Sequence, residues 1–561
     1  MLLHHITYQQ WYNLVRDYTL RLVNIRSVSP GSGEIQVVQQ VLHLLREGGL
    51  DTLYTEIGLD PLEEDTYGRQ NAYAFLQGQS PHTLVLLGHI DTVDTQDYGP
   101  LAAYALDPLA LSERQEELLA LTPDVQAEMA AHAHDWMFGR GVIDMKSGVA
   151  ANIAIMRQLA EQSRLSPLPL SVVLLATPDE EHESAGVLQA VRFLLQLRAR
   201  YGLTYVGAIN TDYTAALYLH DPHRYVYTGT TGKLLSSFLI IGREAHAGEP
   251  FEGLDANLLA AELIRDVSMN QDLCDVVRGQ ITPPPVTLHA TDLKTHYDVQ
   301  LPFAAYFYLN VLTFYTEPAA LLAQLRNLAE QSMARVLERI ERTELHWLHR
   351  LGQHMQMVRH HPRSGSVLTY ADLYTETAQK LGKERVASAL NDEWQRWPAD
   401  LDKRQRSLYL VYRLWMLSGR RGPAIVLYYS PPYYPHVATT RSALHQAVAA
   451  VVNNHSDLQL VQQEYYPYIS DMSYLRLDPG VDLTALIANM PLWQDQPVPT
   501  QAGGYSLPLE TIRQLNLPVV NFGPYGRSVH QRGEAALMSY SFGILPQLLY
   551  ETIEQLIQQL A

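Results

Sequence analysis

A histidine and an aspartate directly follow an apolar, strand-like run in the segment TLVLLGHIDTVD (83–94). The run ends at Gly88, and His89 and Asp91 stand two positions apart. Side chains two apart on an extended chain point to the same side. Ligands bind at the carboxyl ends of strands in an α/β sheet, and an Asp beside a His can orient the ring as a metal ligand. The chemistry that this pair suggests is metal binding.

Acidic residues recur in two further segments of the same design. GRGVIDMKSGVAANIAIM (139–156) places Asp144 in a glycine-containing loop before an apolar helix, where the simpler interpretation is a helix N-cap. SVVLLATPDEEHESAG (171–186) ends an apolar strand at Glu180 and Glu181, where the simpler interpretation is a surface acidic loop. Neighbouring carboxylates repel one another, so burying them would require a cation.

Two more strand-like runs end in residues of the same types. YVGAINTDYT (205–214) leads to Asp212, and LPVVNFGP (517–524) leads into a loop with His530. The repeated occurrence of a histidine or an acidic residue at the end of a strand or glycine loop is hard to obtain by chance. The pattern therefore predicts one metal site built from all of these segments.

The elements between these motifs predict an α/β protein. Amphipathic helices are predicted over residues 8–26 and about 35–47, and they alternate with apolar strands such as NAYAFL (71–76). Residues 317–420 are predicted to be mostly helical and to form an insertion. A length of 561 residues is compatible with more than one domain.

Composition restricts the class of protein. Lys and Arg (41) against Asp and Glu (59) give a net charge of −18, which argues against nucleic-acid binding. No window approaches the roughly 18 apolar residues that a membrane span needs, and the first residues do not resemble a signal peptide. Cys274 is the single cysteine, which excludes an internal disulfide and fits a reducing, cytoplasmic compartment. Any metal must be held by His, Asp and Glu.

Four motifs together resemble the signatures of the aminoacylase, acetylornithine deacetylase and glutamate carboxypeptidase family of dinuclear metallohydrolases: GHIDTVD (88–94), GRGVIDMKSG (139–148), ATPDEE (176–181) and GPYGRSVHQRGE (523–534). GREAHAGEPFEGLDAN (242–257) resembles the lid-domain signature of that family. Three further segments are similar to its RocB-like arginine-utilisation branch: TGTTGKLL (228–235), SPPYYPH (430–436) and YPYISDMSYL (466–475).

The resemblance implies a zinc-peptidase-like catalytic domain, with a mixed central sheet flanked by helices, and an α+β lid domain. We predict the catalytic metal-binding domain over 1–229 and 437–561. The lid or dimerisation-type domain is predicted over 230–436, with the helical insertion at about 317–420. A homodimer formed through the lid domain is also implied.

The resemblance also implies a dinuclear centre whose ligands divide between two ions: His89 and Asp212 for one, Glu181 and His530 for the other, and Asp144 for both. Asp91 would orient His89, and Glu180 would be the general base. Oxygen and nitrogen ligands without sulfur suit zinc, with manganese or cobalt as alternatives.

Other candidates concern substrate binding. By resemblance, His246 reaches an active site across a dimer and donates a hydrogen bond to the oxyanion; a solvated loop histidine is the alternative. Asn257 is a candidate substrate contact or a helix-capping residue. Arg527 could bind a substrate carboxylate, or it is a surface arginine. Ser470 and Asp471 take the place of the glycine-rich substrate loop of the family, from whose usual spelling ISDMSYL departs.

These observations lead to a cytoplasmic dinuclear metal-dependent amidohydrolase. We expect it to cleave a linear C–N bond, amide or ureido, of a small amino-acid derivative in arginine, ornithine or citrulline catabolism. A di- or aminopeptidase on the same site is the alternative enzyme. A catalytically silent metal-binding or scaffold relative is the alternative outside catalysis. Neither nucleic acid nor a membrane is an expected partner.

Overall fold

The computed structural model describes residues 6–120, 129, 134–218, 220–352, 364–398, 401–494 and 504–560. The contacts within the chain divide it into two compact units. Unit 1 comprises Met1–Thr231, Val437–Asp478 and Pro508–Ala561, and unit 2 comprises Gly232–His436 and Pro479–Leu507.

The strands of the described residues are, in chain order, β1 (Glu56–Pro61), β2 (Gln70–Leu76), β3 (His82–His89), β4 (Trp136–Phe138), β5 (Ser171–Thr177), β6 (Thr204–Asn210), β7 (Arg224–Tyr227), β8 (Gly232–Ile241), β9 (Val276–Val277), β10 (Gln280–Ile281), β11 (Val286–Asp292), β12 (Ala304–Thr313), β13 (Ser366–Thr369), β14 (Ala424–Tyr434), β15 (Leu460–Gln463), β16 (Val519–Asn521), β17 (Gly526–Arg527) and β18 (Ala535–Leu537).

The α-helices of the described residues are α1 (Tyr8–Val23), α2 (Gly33–Arg46), α3 (Pro108–Ser112), α4 (Gln115–Ala120), α5 (Ser147–Ser163), α6 (Ala185–Tyr201), α7 (Ala256–Val267), α8 (Pro318–Arg350), α9 (Tyr370–Leu381), α10 (Lys383–Gln395), α11 (Lys403–Ser418), α12 (Ala443–Asn454), α13 (Thr484–Asn489), α14 (Leu509–Leu515) and α15 (Leu545–Leu560).

Unit 1 is built on an eight-stranded mixed sheet with the order β1-β2-β5-β3-β6-β16-β7-β15. Strands β3, β5, β6 and β16 run parallel to their neighbours in this group, whereas β1 and β2 are antiparallel additions. Strands β3 and β5 are apolar and buried along almost their whole length, as expected of central strands covered on both faces. The parallel strands therefore end at one common edge, where their following loops meet.

A three-stranded antiparallel sheet, β17-β18-β4, also belongs to unit 1. Strand β4 leads into the loop that carries Asp144, and β17 leads into the loop that carries His530. Pairing of β4 and β17 with β18 thus brings two segments together that lie almost 400 positions apart, as in the ladder partners Phe138 and Ala535.

Unit 2 contains a five-stranded sheet with the order β11-β12-β8-β14-β13. Its strands are antiparallel except for β13, which runs parallel to β14. Helices α8 to α11 occupy most of the region that the sequence predicts as a helical insertion, and β13 joins that region to the sheet.

The segment Pro479–Leu507 groups with unit 2, whereas the predicted limits assign it to the catalytic domain. Helix α13 lies in this segment and packs against α8, α9 and β14. The backbone N–H of Ala371 donates to the Asn489 side-chain oxygen at 3.0 Å, and the Tyr433 N–H donates to the Tyr505 hydroxyl at 2.9 Å. These long-range contacts have no local signature in the sequence.

The observed architecture confirms the predicted α/β class with a mixed central sheet. Among the residues that the structure describes, no helix combines the length and apolar character needed to cross a membrane.

Candidate metal centre

His89 and Asp91 lie at the end of β3, and both side chains are buried. Nδ1 of His89 is 3.5 Å from an oxygen of Asp91. The two Asp91 oxygens also accept the backbone N–H groups of Glu180 and Glu181, at 3.2 and 3.0 Å. Asp91 therefore holds the acidic loop after β5 beside the His89 ring.

Asp144 lies in an irregular turn just before α5, and its side chain is only 6% exposed. One carboxylate oxygen is 3.0 Å from Nε2 of His89, and the other is 3.1 Å from Nε2 of His530. The interpretation of Asp144 as an N-cap is wrong, because α5 begins at Ser147 with Lys146 at the cap position. The carboxylate stands between two histidines instead.

Glu180 and Glu181 follow β5, and their side chains are 10% and 8% exposed. An oxygen of Glu181 is 2.9 Å from Nε2 of His530, and an oxygen of Glu180 is 3.9 Å from Nε2 of His89. The interpretation of this segment as a surface acidic loop is therefore wrong for these two residues.

Asp212 follows β6 and is buried. Its backbone N–H donates to the Asn521 side-chain oxygen at 3.1 Å, and the Asn521 amide donates to the Asp212 carbonyl at 2.9 Å. Gly523 passes so close that a Cβ there would lie 1.8 Å from the Asp212 carbonyl oxygen. The end of β16 thus fixes Asp212 through main-chain contacts that need glycine.

The side chains form two groups that share one member. His89, Asp144 and Asp212 form the first group, and Asp144, Glu181 and His530 form the second. Within each group, one ligand atom per residue lies within 4.8 Å of the others. Nitrogen and oxygen donors in this number fit two divalent ions with Asp144 between them.

Charge at the centre supports the same fit. Burial raises the pKa of Asp212, as does the neighbouring carboxylate of Asp144. Burial also raises the pKa of Glu180 well above its ordinary value. The positive charge of His89 opposes this rise, and the nearby carboxylates add to it. Burial acts in the same direction on Asp144, but hydrogen bonds from His530 and His89 dominate and lower its pKa. So many buried carboxylates require compensating positive charge.

His530 carries part of that compensation. Burial lowers its pKa, but the hydrogen bonds to Asp144 and Glu181 outweigh burial and raise the pKa of His530 to about 11. Its backbone φ is +59°, in the left-handed region that few non-glycine residues adopt. Nε2 of His530 faces both carboxylates, at the place where a metal ion would bind; as a ligand the imidazole would be neutral, and the ion would supply the positive charge.

Several buried residues around the centre were given no role from the sequence. The Arg140 guanidinium, 1% exposed, lies 2.5 Å from the Glu534 carboxylate and 2.6 Å from that of Asp97. The other Glu534 oxygen accepts the Gly141 N–H at 2.7 Å. Glu534 therefore ties the turn that carries Asp144 to the segment that follows His530. Its place in the terminal motif was the available signal.

Aromatic residues form a further part of the surroundings. The rings of Tyr213 and Tyr468 are 4.9 Å apart, and the Tyr466 hydroxyl donates to the Tyr213 carbonyl at 3.1 Å. Burial raises the pKa of the Tyr213 phenol, and the Asp144 carboxylate raises it further. Tyr213 directly follows Asp212 in the sequence, which places this aromatic group beside the ligands.

The remaining candidates of unit 1 occupy different environments. Ser470 is fully buried and its hydroxyl accepts from the Asn210 amide at 3.1 Å. Asp471 is buried and accepts the Thr177 hydroxyl at 3.1 Å; burial raises its pKa to about 7. The Arg527 guanidinium lies 5.8 Å from the centre of the Tyr525 ring. Their roles in substrate binding stay predictions.

His246 and Asn257 belong to unit 2. His246 is exposed, and its Nδ1 accepts the Gly248 N–H at 3.0 Å. The Asn257 side chain donates to Asp292 at 2.9 Å. Asp255, not Asn257, caps α7. The predicted roles of both residues in catalysis or substrate binding stay predictions.

The fold and the two groups of His, Asp and Glu side chains define a protein with a candidate metal site, and comparison with known families shows its class. The model of peptidase family M20/M25/M40 matches residues 85–489, and the chain belongs to this family. This confirms the predicted family and the predicted hydrolase class.

Within the family, the chain is similar to two proteins of Bacillus subtilis (strain 168). It is 31% identical to YqjN over 544 residues, 96% of this chain and 95% of that protein. It is 30% identical to RocB over 508 residues, 89% of this chain and 86% of that protein. The RocB-like branch is thereby confirmed.

Two further similarities are more distant. Acetylornithine deacetylase of Proteus mirabilis is 27% identical over 252 residues, 45% of this chain and 54% of that protein. The solved structure of the di-peptidase Dug1p from Saccharomyces cerevisiae matches with a TM-score of 0.51 and 11% identity, covering 98% of both chains. The latter similarity shows a shared fold.

Proposed function

We propose that this chain is a dinuclear metal-dependent amidohydrolase that cleaves a linear C–N bond, amide or ureido, of a small amino-acid derivative. The observation that carries the proposal is the Asp144 carboxylate, which has one oxygen 3.0 Å from His89 and the other 3.1 Å from His530. A carboxylate so placed could serve as a ligand to two divalent ions. Zinc suits the donor set best, with manganese or cobalt as alternatives.

Two bound divalent ions would lower the pKa of a shared water and polarise the substrate carbonyl. The protein's own base would be Glu180, which takes a proton from the attacking water and returns it to the leaving nitrogen. Such a base contributes about 10²- to 10⁴-fold in rate. An oxygen of the Glu180 carboxylate lies 3.9 Å from Nε2 of His89, next to the first ligand group. Asp91 holds Glu180 in place through the Glu180 N–H.

Substrate class is proposed from the resemblance to the arginine-utilisation branch and from the name of the deacetylase relative, which refers to an acetylated amino acid. We propose acyl or ureido derivatives related to arginine, ornithine or citrulline. Arg527 would bind the substrate carboxylate. The single cysteine, Cys274, fits a reducing cytoplasmic compartment.

The first test is amine or ammonia release by zinc-reconstituted protein from a panel of citrulline, acetylornithine, acetylarginine and simple dipeptides. We expect release from a ureido or acyl amino acid, and loss of most turnover in Glu180→Gln with both metal ions retained. Glu183→Gln, in the same loop but outside both ligand groups, is the matched control. Unchanged turnover in Glu180→Gln would exclude Glu180 as the base.

The dipeptides in the panel distinguish the proposed amidohydrolase from a second candidate function, a peptidase. Release from dipeptides alone would favour a di- or aminopeptidase on the same centre, which the family name also permits. A full complement of metal with no turnover on the whole panel would favour a binding or scaffold protein.

We further propose a homodimer in which His246 of one subunit serves the metal centre of the other. Inactive His246→Ala and inactive Glu180→Gln proteins, once mixed, should form hybrid dimers with one intact site and regain part of the activity. Proven subunit exchange without regained activity would contradict this arrangement.

A further inference from the structure

Arg69 lies just before β2 and is the centre of a buried ionic cluster. Its side chain is 6% exposed and contacts three carboxylates. Nε and one terminal nitrogen donate to Asp65 at 3.0 and 2.7 Å. The other terminal nitrogen donates to Asp179 and lies 3.4 Å from Glu34. The planar guanidinium thus connects three parts of unit 1.

Asp179 is the residue on which these contacts converge. Its φ of +74° lies in the left-handed region, which non-glycine residues rarely adopt. Its N–H donates to Glu34 at 2.9 Å, and its carboxylate accepts the Ser29 hydroxyl and the Ala185 N–H, each at 3.1 Å. Side chain and main chain of Asp179 are therefore fixed from several directions, which keeps the unfavourable conformation in place.

The main chain turns at Asp179 and continues directly into Glu180 and Glu181. The Asp179 carbonyl closes this loop by accepting the N–H groups of Glu183 and Ser184, at 3.1 and 2.6 Å. Asp91 holds the amides of Glu180 and Glu181 from β3. A shift of Asp179 would therefore move the two acids at the metal centre.

We propose that Arg69 is a positioning residue for the metal centre: by holding Asp179, it sets the places of Glu180 and Glu181 without contacting the substrate. This inference rests on the proposed function. Lysine cannot replace Arg69. Two nitrogens of the planar guanidinium donate to Asp65 while the third reaches Asp179 and Glu34, and a single ammonium group cannot make all of these contacts.

Charge explains why the cluster needs the arginine. Burial raises the pKa of Glu34 to about 8, with Asp91 acting in the same direction and Arg69 opposing. Asp179 is also buried, and the Arg69 guanidinium donates a hydrogen bond to its carboxylate. Without the guanidinium, the Asp179 carboxylate would lose its buried counter-charge, and the loop would lose the group that holds it.

The test compares Arg69→Lys with Arg198→Lys, whose arginine donates to the backbone carbonyls of Gln514 and Leu515 in unit 1. Metal-stripped wild type and variants are titrated with zinc by calorimetry, and kcat and KM follow on the reconstituted proteins. We expect Arg69→Lys to bind one of two zinc ions about 10- to 100-fold more weakly, with a similar loss in kcat. Arg198→Lys should match the wild type in both.

Three outcomes decide the matter. Weaker binding of one zinc ion by Arg69→Lys alone supports the inference. If the wild type binds two zinc ions and folded Arg69→Lys shows unchanged zinc binding and kcat, the inference is overturned but the proposed function stays intact. Fewer than two ions on the wild type overturn the proposed function and the inference together.

A milder variant covers the case in which Arg69→Lys does not fold. Ser29→Ala removes one hydrogen bond to the Asp179 carboxylate and keeps the arginine. We expect the same zinc ion to bind a few-fold more weakly, less than in Arg69→Lys, because the guanidinium and the Ala185 N–H still hold the Asp179 carboxylate. Unchanged zinc binding in Ser29→Ala would then overturn the inference.

Discussion

Replacing Asp91 by Asn tests how the metal centre is held together. Asp91 accepts two backbone N–H groups, from Glu180 at 3.2 Å and Glu181 at 3.0 Å. An asparagine has one acceptor oxygen, so one N–H would face the amide NH₂ group instead. A hydrogen bond to a charged group contributes about 1.5–3 kcal/mol, and a buried donor without a partner costs about 1–3 kcal/mol. Because these two contributions partly describe the same loss, we expect the free energy of unfolding of Asp91→Asn to fall by about 3 kcal/mol.

Urea unfolding measures this loss as a shift in the midpoint of the transition. Asp94→Asn is the matched control, because Asp94 lies three residues further on with its side chain 44% exposed. We expect the control to shift the midpoint little and to keep full activity. Asp91→Asn should also lose about 10- to 100-fold in kcat, the usual effect of a group that orients metal ligands. Unchanged stability and kcat in folded Asp91→Asn would refute the reasoning.

Three further predictions concern other parts of unit 1. His530→Ala should lower the zinc content from two ions per chain towards one by elemental analysis, whereas two retained ions would contradict its role as a ligand. Gly523→Ala should displace the Asp212 carbonyl, from which the new Cβ would lie 1.8 Å away, and reduce kcat by about 10²-fold, while Gly480→Ala, with nothing within 4 Å, should not. Burial raises the pKa of Asp221, but hydrogen bonds from Leu217, His223 and Tyr225 dominate and lower it from 3.8 to about 2. Ionised Asp221 therefore adds about 2 kcal/mol to the free energy of unfolding above pH 4, and this stabilisation is lost as the pH falls towards 2. Urea unfolding of Asp221→Asn should lack this acid dependence.

Short-range pattern in the sequence singled out the residues of the two groups, and the family resemblance then assigned them as candidate ligands. His89, Asp144, Glu181 and Asp212 each follow a strand or a glycine loop, and parallel strands end at one sheet edge. Pattern alone left Asp144 open as a helix cap, because a cap and a ligand occupy the same position relative to a helix. The start of α5 at Ser147 excludes the cap, and the distances from Asp144 to His89 and His530 support the ligand role.

Residues that support the ligands could not be predicted in this way. Arg69 and Glu34 stand in ordinary polar segments, and their partners lie up to 145 positions away. Ser470 was selected by analogy with a substrate loop, yet it is fully buried against Asn210. Such contacts depend on which strands become neighbours, a property of the folded sheet that no local pattern encodes.

The strand order of unit 1 has a consequence for synthesis of the chain. Strand β16 lies between β6 and β7, although it is made some 300 positions after them. On the ribosome, the nascent sheet therefore lacks an inner strand until the segment Pro508–Ala561 has emerged. That same segment supplies Asn521 and His530. A prematurely terminated chain would thus expose an open sheet edge, a site for aggregation or chaperone binding, and would be unable to complete its metal centre.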